Sequence, residues 1–427
     1  MPARTRSHAS LAPPLSLTGA SAPALSRSPS PVHERAVAEN LTGEWTEWAG
    51  YLSAPSYALS PDIEYTAVRE AAGLIDVSPL FKYRVAGPDS LALVGRVITR
   101  DPRRLRPGRV IYTPWCDEAG HVIDDGTLAR LDDGSIRWTA ADPQVRWLEL
   151  NARGLDVTID ETTEALAALA VQGPRSRAVL DEATGVSFAD LGYYRRRAAS
   201  IGGVPVDISR TGYTGDLGYE VWVAADRAVE VWDALVAAGR AHDLRPVGLR
   251  ALDLLRLEAG LILLGVDYVS SRHAAIPDQL VSPFEIGLGR LVDLESGAEF
   301  VGRRALVAER AAGGSARRLA GLEVDWEGIE ARFLAVGLAP SVSSIVSRVP
   351  VPVYAPDGPQ IGRMTSSGWS PQRKALIGLA TVDAAWARAG GRVEVEWTVE
   401  ARRSRVEARV VKLPFQVLPR KKALPAL

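Results

Sequence analysis

The chain has 427 residues, 47% hydrophobic and 24% charged, with 50 basic against 51 acidic side chains and a net charge of −1. That length exceeds one ordinary core and predicts two or three domains. The composition is that of a soluble globular protein, and the charge balance argues against a polyelectrolyte partner such as nucleic acid. The single cysteine, Cys116, excludes an intrachain disulfide, and with only five histidines it argues against a structural metal site and for a reducing, cytoplasmic setting.

No Gly-Lys-Ser/Thr phosphate loop, His-Glu-x-x-His or Gly-x-Ser-x-Gly occurs, and no apolar run is long enough for a membrane span. Residues 1–40 carry no acid before Glu34 and are rich in Ser, Pro, Ala and Arg, which predicts a disordered leader. Pro13-Pro14 spoils the amphipathic helix of a targeting signal. Order is expected from about Trp45.

Tyr65 to Gly73 reads as a helix stopped at Gly73, followed by a short strand to Ser78. Phe81, Tyr83 and Val85 alternate with Lys82 and Arg84 as a half-buried strand, Gly87-Pro88 turns the chain, and Leu91, Val94 and Ile98 fall at helical spacing. Next, Pro107 to Trp115 and His121 to Leu131 form a hairpin about Asp117-Glu118-Ala119-Gly120.

The returning strand of that hairpin carries Asp124-Asp125. Alternation places the two carboxylates on opposite faces, Asp125 with Ile123 and Thr127, Asp124 with Val122 and Leu128. At most one of them serves a given site. Such a pair suits a solvated sheet edge as well as a site.

Pro143 to Asn151 reads as a helix, Ala165 to Val171 as a buried strand, and Gln172-Gly173-Pro174 opens another helix. Ser209 to Glu220, with Gly212, Gly215 and Gly218, is a shaped loop between strands Val204–Ile208 and Tyr219–Val223, with Glu220 held at a strand start. Its glycines either admit a ligand or merely serve the turn.

Val229, Trp232 and Val236 mark an amphipathic helix. Asp253, Arg256 and Glu258 read as a surface ion-pair set of little energetic worth. Arg195-Arg196-Arg197 and Arg420-Lys421-Lys422 read as solvated clusters. Ala311 to Ser315 is a flexible joint, after which short alternating strands (Val393 to Trp397, Val406 to Val411) suggest a small barrel. The expected domains are 41–160, 161–312 and 313–427, behind the leader.

Arg-Thr-Gly-Tyr-Thr-Gly-Asp-Leu-Gly-Tyr-Glu (210–220), the hairpin with Ile123-Asp124-Asp125, Ala170-Val171-Gln172-Gly173-Pro174, Gly248 to Gly260, Gly362 to Pro371 and Lys412 to Phe415 together resemble the aminomethyltransferase family, the glycine cleavage T protein and its folate-dependent relatives. The resemblance spans roughly residues 57 to 416. It implies an α+β clover-leaf of two mixed α/β domains and a C-terminal β-barrel around a tetrahydrofolate site. It places Asp125 near folate N5 as the catalytic carboxylate. Glu220 would bind the pterin ring, Tyr112 and Tyr213 would pack on it, and Trp369 is counted among the folate-contacting residues.

Three positions depart from the glycine-cleavage pattern: Pro79 replaces a histidine, Thr139-Ala140-Ala141-Asp142 replaces a Ser-Asn-Ala stretch, and Leu252 replaces the arginine that contacts the folate tail. In these respects the chain looks like the branch that demethylates small sulfur or oxygen compounds. The expectation is transfer of a methyl group from a small methylated donor to tetrahydrofolate, with no metal. Aminomethyl transfer from a lipoyl carrier protein is the alternative, and a non-catalytic folate-binding protein is a third reading.

Overall fold

The computed structural model describes residues 28–423. Positions 1–27 of the expected leader lie outside the described residues. From Ser28 the chain is folded, against the disorder expected through residue 40. Ser28–Pro29 pairs in parallel with Tyr51 and Leu52, and His33–Glu39 is a helix. Two small apolar residues decide this, since Val32 and Ala36 are buried while the Ser/Pro/Arg background around them obscures the signal.

Among the described residues, three larger sheets organise the molecule beside a small one of Ser28–Pro29, Tyr51–Ser53 and Thr46–Trp48. The first has the order Val110–Cys116, Val122–Arg130, Ile136–Ala140, Phe81–Ala86, Thr158–Glu161, and every pairing is antiparallel. The second is six-stranded: Arg196–Ile201, Val204–Ser209, Gly218–Ala224, Leu166–Gln172, Ala72–Asp76, Leu244–Pro246. The third is a closed barrel of six strands drawn from Arg317 to Val411.

Leu166–Gln172 explains its own apolar run. Ala168 and Ala170 enter one buried cluster while Ala167, Leu169 and Val171 enter another, so both faces of the strand are covered. The helices Ser176–Thr184 and Ala228–Gly239 cover the outer face through Val179, Leu180, Val231 and Trp232. The inner face turns toward the helix Leu249–Glu258.

Strand pairing crosses the expected boundary near residue 160. Ala72–Asp76, inside the expected first domain, pairs with Leu166–Gln172 in the second sheet, so the chain crosses between units before residue 81. Gly73 sits within that strand instead of stopping the helix, which is Pro61–Glu70. From the other side, Leu306 of the helix Arg303–Ala311 packs beside Gly120 at the hairpin turn. Pairing partners far apart in sequence override the composition breaks on which such boundaries rest.

Leu249–Glu258 is the hub, and the surface ion-pair expectation for it is overturned. Asp253, Arg256 and Glu258 are all buried. Arg256 donates from Nε to Asp253 (2.8 Å), from Nη1 to Asp267 (2.6 Å) and from Nη2 to the barrel's Ser366 (2.8 Å). Glu258 accepts from Tyr65 (2.7 Å), Arg69 Nη2 (2.6 Å) and Ser370 of the barrel (2.6 Å). A helix with all three units packed around it has no solvated face, so its charges must be paired and hydrogen-bonded.

The basic clusters are likewise not free surface. Arg196 is buried and pairs with Asp207 and Asp132, and Arg420 pairs with Asp216. Among the described residues no helix is long and apolar enough to cross a membrane.

Candidate active site

A cavity of about 860 Å³ opens where the units meet. Its walls come from both sheets, the hub helix and the loop after it, and the barrel side contributes Arg348. The lining is mostly apolar, with Leu80, Phe81, Trp222, Leu252, Ile262 and Leu264 among its residues, and a few polar groups face inward. Sites for drug-sized ligands have this character.

Asp125 is one such group. The Tyr112 hydroxyl donates to its Oδ2 at 2.6 Å, and the Tyr268 hydroxyl donates to its Oδ1. Burial pushes the Asp125 carboxyl above the usual range, and the two tyrosine hydrogen bonds pull it back down. The same burial, with the carboxylate beside them, keeps both phenols protonated and therefore donors.

Asp124 points the other way, as expected. Its Oδ2 accepts from the backbone N–H groups of Ala141 and Asp142 (3.0 Å each) and from Gln144 (3.2 Å), fixing the loop that forms one cavity wall. The phasing before the pair differs from that expectation, Val122 entering the central cluster and not the one that holds Leu128. A bulge at Trp115/Cys116, where Cys116 faces Val122 and Trp115 faces Asp124, leaves Ile123 as the extra residue. Ile123 therefore joins the core of the first sheet instead of sharing the Asp125 face, while Thr127 does line the cavity.

Glu220 lines the cavity from the second sheet. Thr211 donates to its Oε2 at 2.7 Å, across the register pair Ser209–Glu220. Burial raises its carboxyl, opposed by the Thr211 hydroxyl and by the charge of Arg137. Arg137 is held by Asp207 at 2.7 Å and lies 4.1 Å over the Trp222 ring.

The glycines of the shaped loop serve a purpose other than ligand approach. A Cβ on Gly212 or Gly218 would come within 2.1 or 2.2 Å of Gln172 Oε1. The buried Gln172 amide donates to the carbonyls of Thr211 (3.2 Å) and Tyr219 (3.3 Å), so the glycines let the loop close onto it. Tyr213, carried between them, lines the cavity and donates its hydroxyl to the Ile262 carbonyl.

The cavity thus gathers Asp125, Tyr112, Glu220 and Tyr213, but not Trp369. In the strand Gln360–Ser370, Ser370 turns inward to Glu258, and alternation sends Trp369 outward. There it packs edge-on against Trp326, with centroids 5.2 Å apart, at a separate small depression. Tyr268, Arg348 and Lys421 are cavity or clamp residues that the sequence reading missed. The one available signal was the polar pair Asp267-Tyr268 closing an apolar, glycine-bearing run, Leu261 to Val266. Among the described residues no group of three or more His, Cys, Asp or Glu side chains is arranged to hold a metal ion.

Two family profiles match in the order of this architecture: the GCVT N-terminal domain over residues 32–296 and the glycine cleavage T-protein C-terminal barrel domain over residues 335–416. The chain belongs to the glycine cleavage T-protein family. This family is one of enzymes, and its fold and barrel are the ones described above. The aminomethyltransferase of Moorella thermoacetica is 40% identical over 379 residues, covering 88% of this chain and 94% of that one. A trimethylamine-oxide aldolase of Ruegeria pomeroyi is 38% identical over 392 residues, covering 89% of this chain but 45% of its own length. The crystal structure of aminomethyltransferase T from Bartonella henselae superposes with a TM-score of 0.76 at 25% identity, over 92% of this chain and 99% of that one.

Within the T-protein frame, two of the departures from the glycine-cleavage pattern fall on the cavity itself. Leu252 and the Thr139 to Asp142 stretch are lining residues, and Asp142 pairs with His273 at 3.2 Å.

Proposed function

We propose that this enzyme is a tetrahydrofolate-dependent one-carbon transferase that moves a methyl group from a small O-, S- or N-methylated donor to N5 of tetrahydrofolate. The observation that carries the reading is a single cavity lined by a tyrosine-clamped aspartate on one sheet and a second buried carboxylate, Glu220, on another.

The residues present suit that cofactor. A reduced pterin presents adjacent N–H donors along one edge, and a fixed carboxylate accepts them. Glu220 is pinned by Thr211 and recessed from water, so each charge-assisted hydrogen bond contributes about 1.5–3 kcal/mol before desolvation. Tyr213 and Tyr112 supply aromatic surface for a planar ring. Bound there, tetrahydrofolate supplies the nucleophilic nitrogen that takes up the carbon unit.

Asp125 is the catalytic residue of this proposal. Two phenols fix the orientation of its carboxylate, which holds a proton at the reacting nitrogen or stabilises positive charge that develops there. Leu80, Phe81 and Leu264 give the cavity an apolar wall against which a methyl group would pack. Holding donor and acceptor in line is the remaining contribution, and the rigid sheets provide it.

Two observations support a small donor: the altered Thr139 to Asp142 wall, and a relative named for trimethylamine oxide, a small N-methylated compound. A second reading is aminomethyl transfer from a lipoyl carrier protein, favoured by the name of the Moorella relative. Mass spectrometry of the folate after exposure to small methylated donors and to aminomethyl-lipoyl protein separates them. A methyl product from a small donor is expected; a methylene product from the carrier alone overturns the donor assignment.

A further inference from the structure

Arg348 lies on the cavity rim in a setting built for an anion. It comes from the segment between the helix Trp326–Leu334 and the strand Val351–Tyr354, where no motif draws attention to it. Its backbone is fixed nonetheless. Val346 is buried in the central cluster, and Ser347 exchanges two backbone hydrogen bonds with Ser367 of the barrel, at 2.7 and 3.0 Å.

The side chain is tethered along one edge only. Arg348 Nε donates to Asp253 Oδ2 at 2.7 Å, and Asp253 Oδ1 is already taken by Arg256 Nε at 2.8 Å. Asp253 has a side chain 6% exposed, whereas that of Arg348 is 48% exposed. Among the described residues, no acceptor bonds either Nη of Arg348, so its four Nη hydrogens remain available. A guanidinium held at Nε presents its terminal nitrogens in a fixed orientation, a geometry that matches a carboxylate.

The surroundings favour an anion further. Asp253 must serve two arginines, so it neutralises Arg348 only in part. The neighbouring wall residue on the hub helix, Leu252, carries no charge. Two other cations line the cavity: Arg256, whose guanidinium is taken up by Asp253, Asp267 and Ser366, and Lys421, which lies over the Tyr193 ring, 5.8 Å from the centroid. Of the carboxylates on the lining, Asp253 is the one that Arg348 meets, and among the described residues Arg348 and Lys421 are the lining cations not consumed by buried ion pairs.

We infer that Arg348 is the cofactor-positioning residue that receives the glutamyl carboxylate at the tail of tetrahydrofolate, held in place by Asp253; this rests on the folate reading above. A carboxylate on the methyl donor has the same chemistry, and the test separates the two sources. Calorimetric titrations of the full chain and its variants use tetrahydrofolate and a tail-less tetrahydropterin.

Arg348→Ala is expected to weaken tetrahydrofolate binding by about tenfold or more, leaving the affinity for the tail-less pterin unchanged. Arg348→Lys, which keeps the charge but not the fork, recovers part of the loss. Equal tetrahydrofolate affinity in wild type and Arg348→Ala overturns the proposal and leaves the donor carboxylate as the partner of Arg348. Parallel loss of both ligands also overturns it, showing a collapsed site. Binding of neither ligand by folded wild type removes the folate reading itself, and this inference with it.

Discussion

The Tyr112 hydroxyl stands 2.6 Å from Asp125 Oδ2, a diagonal cross-strand contact, since the register pairs Tyr112 with Thr127 and Pro114 with Asp125. Tyr268 completes the clamp from the far side of the chain. A carboxylate that accepts from two neutral hydroxyls is oriented without being neutralised, which suits a group that must meet positive charge.

Asp125→Asn is therefore expected to lower turnover at least about tenfold while leaving folate affinity nearly intact. Steady-state kinetics beside equilibrium binding measure this. Affinity and turnover falling together contradict the catalytic role.

The clamp also fixes the sign of a pH effect. Burial raises Asp125 and the tyrosine hydroxyls lower it, so Tyr268→Phe removes a lowering contribution and raises the carboxyl further. The active carboxylate form is lost as pH falls through that value. The acidic limb of the kcat/KM profile is expected to move to higher pH in Tyr268→Phe, and a limb that stays put or moves down removes Asp125 from the titrating step.

Asp124 is the structural member of the pair. Its oxygens accept from the backbone N–H groups of Asp125, Ala141 and Asp142 and from Gln144, and an asparagine there turns an NH2 toward donors. Asp124→Asn is expected to cost about 1–3 kcal/mol of stability in denaturant titration, with a smaller loss of turnover than Asp125→Asn. The reverse ranking of turnover contradicts the facing of the two carboxylates.

The hub helix yields a larger stability effect. Glu258→Ala leaves Arg69 facing a lost carboxylate in a buried setting and unties Tyr65 and Ser370. About 3 kcal/mol is expected, since the buried Arg69 loses the nearer of its two carboxylates and keeps Asp216 at 3.4 Å. A change below about 1 kcal/mol in chemical unfolding contradicts the view that this helix joins the units.

How far the sequence carried the account depended on how local each signal was. Asp125 and Glu220 were assigned through the family resemblance; strand alternation added the opposite facing of Asp124 and Asp125 and the position of Glu220 at a strand start. The bulge at Trp115/Cys116 displaced Val122 and Ile123, and nothing in the residue types of that strand marks it. Tyr268 reaches Asp125 across 143 positions, and Arg348 reaches Asp253 across 95, so no periodicity connects them. The hub charges looked solvated because ion pairs at helical spacing usually are; here three units cover them. Trp369 was assigned by motif alone, and one step of strand alternation turns it away from the cavity.

The most direct test of the central claim is calorimetric titration of the protein with tetrahydrofolate, wild type beside Glu220→Ala. Saturable wild-type binding, weakened by about 1.5–3 kcal/mol in the variant, is the predicted result. An unchanged dissociation constant in Glu220→Ala, or no binding by folded wild type, contradicts the folate site.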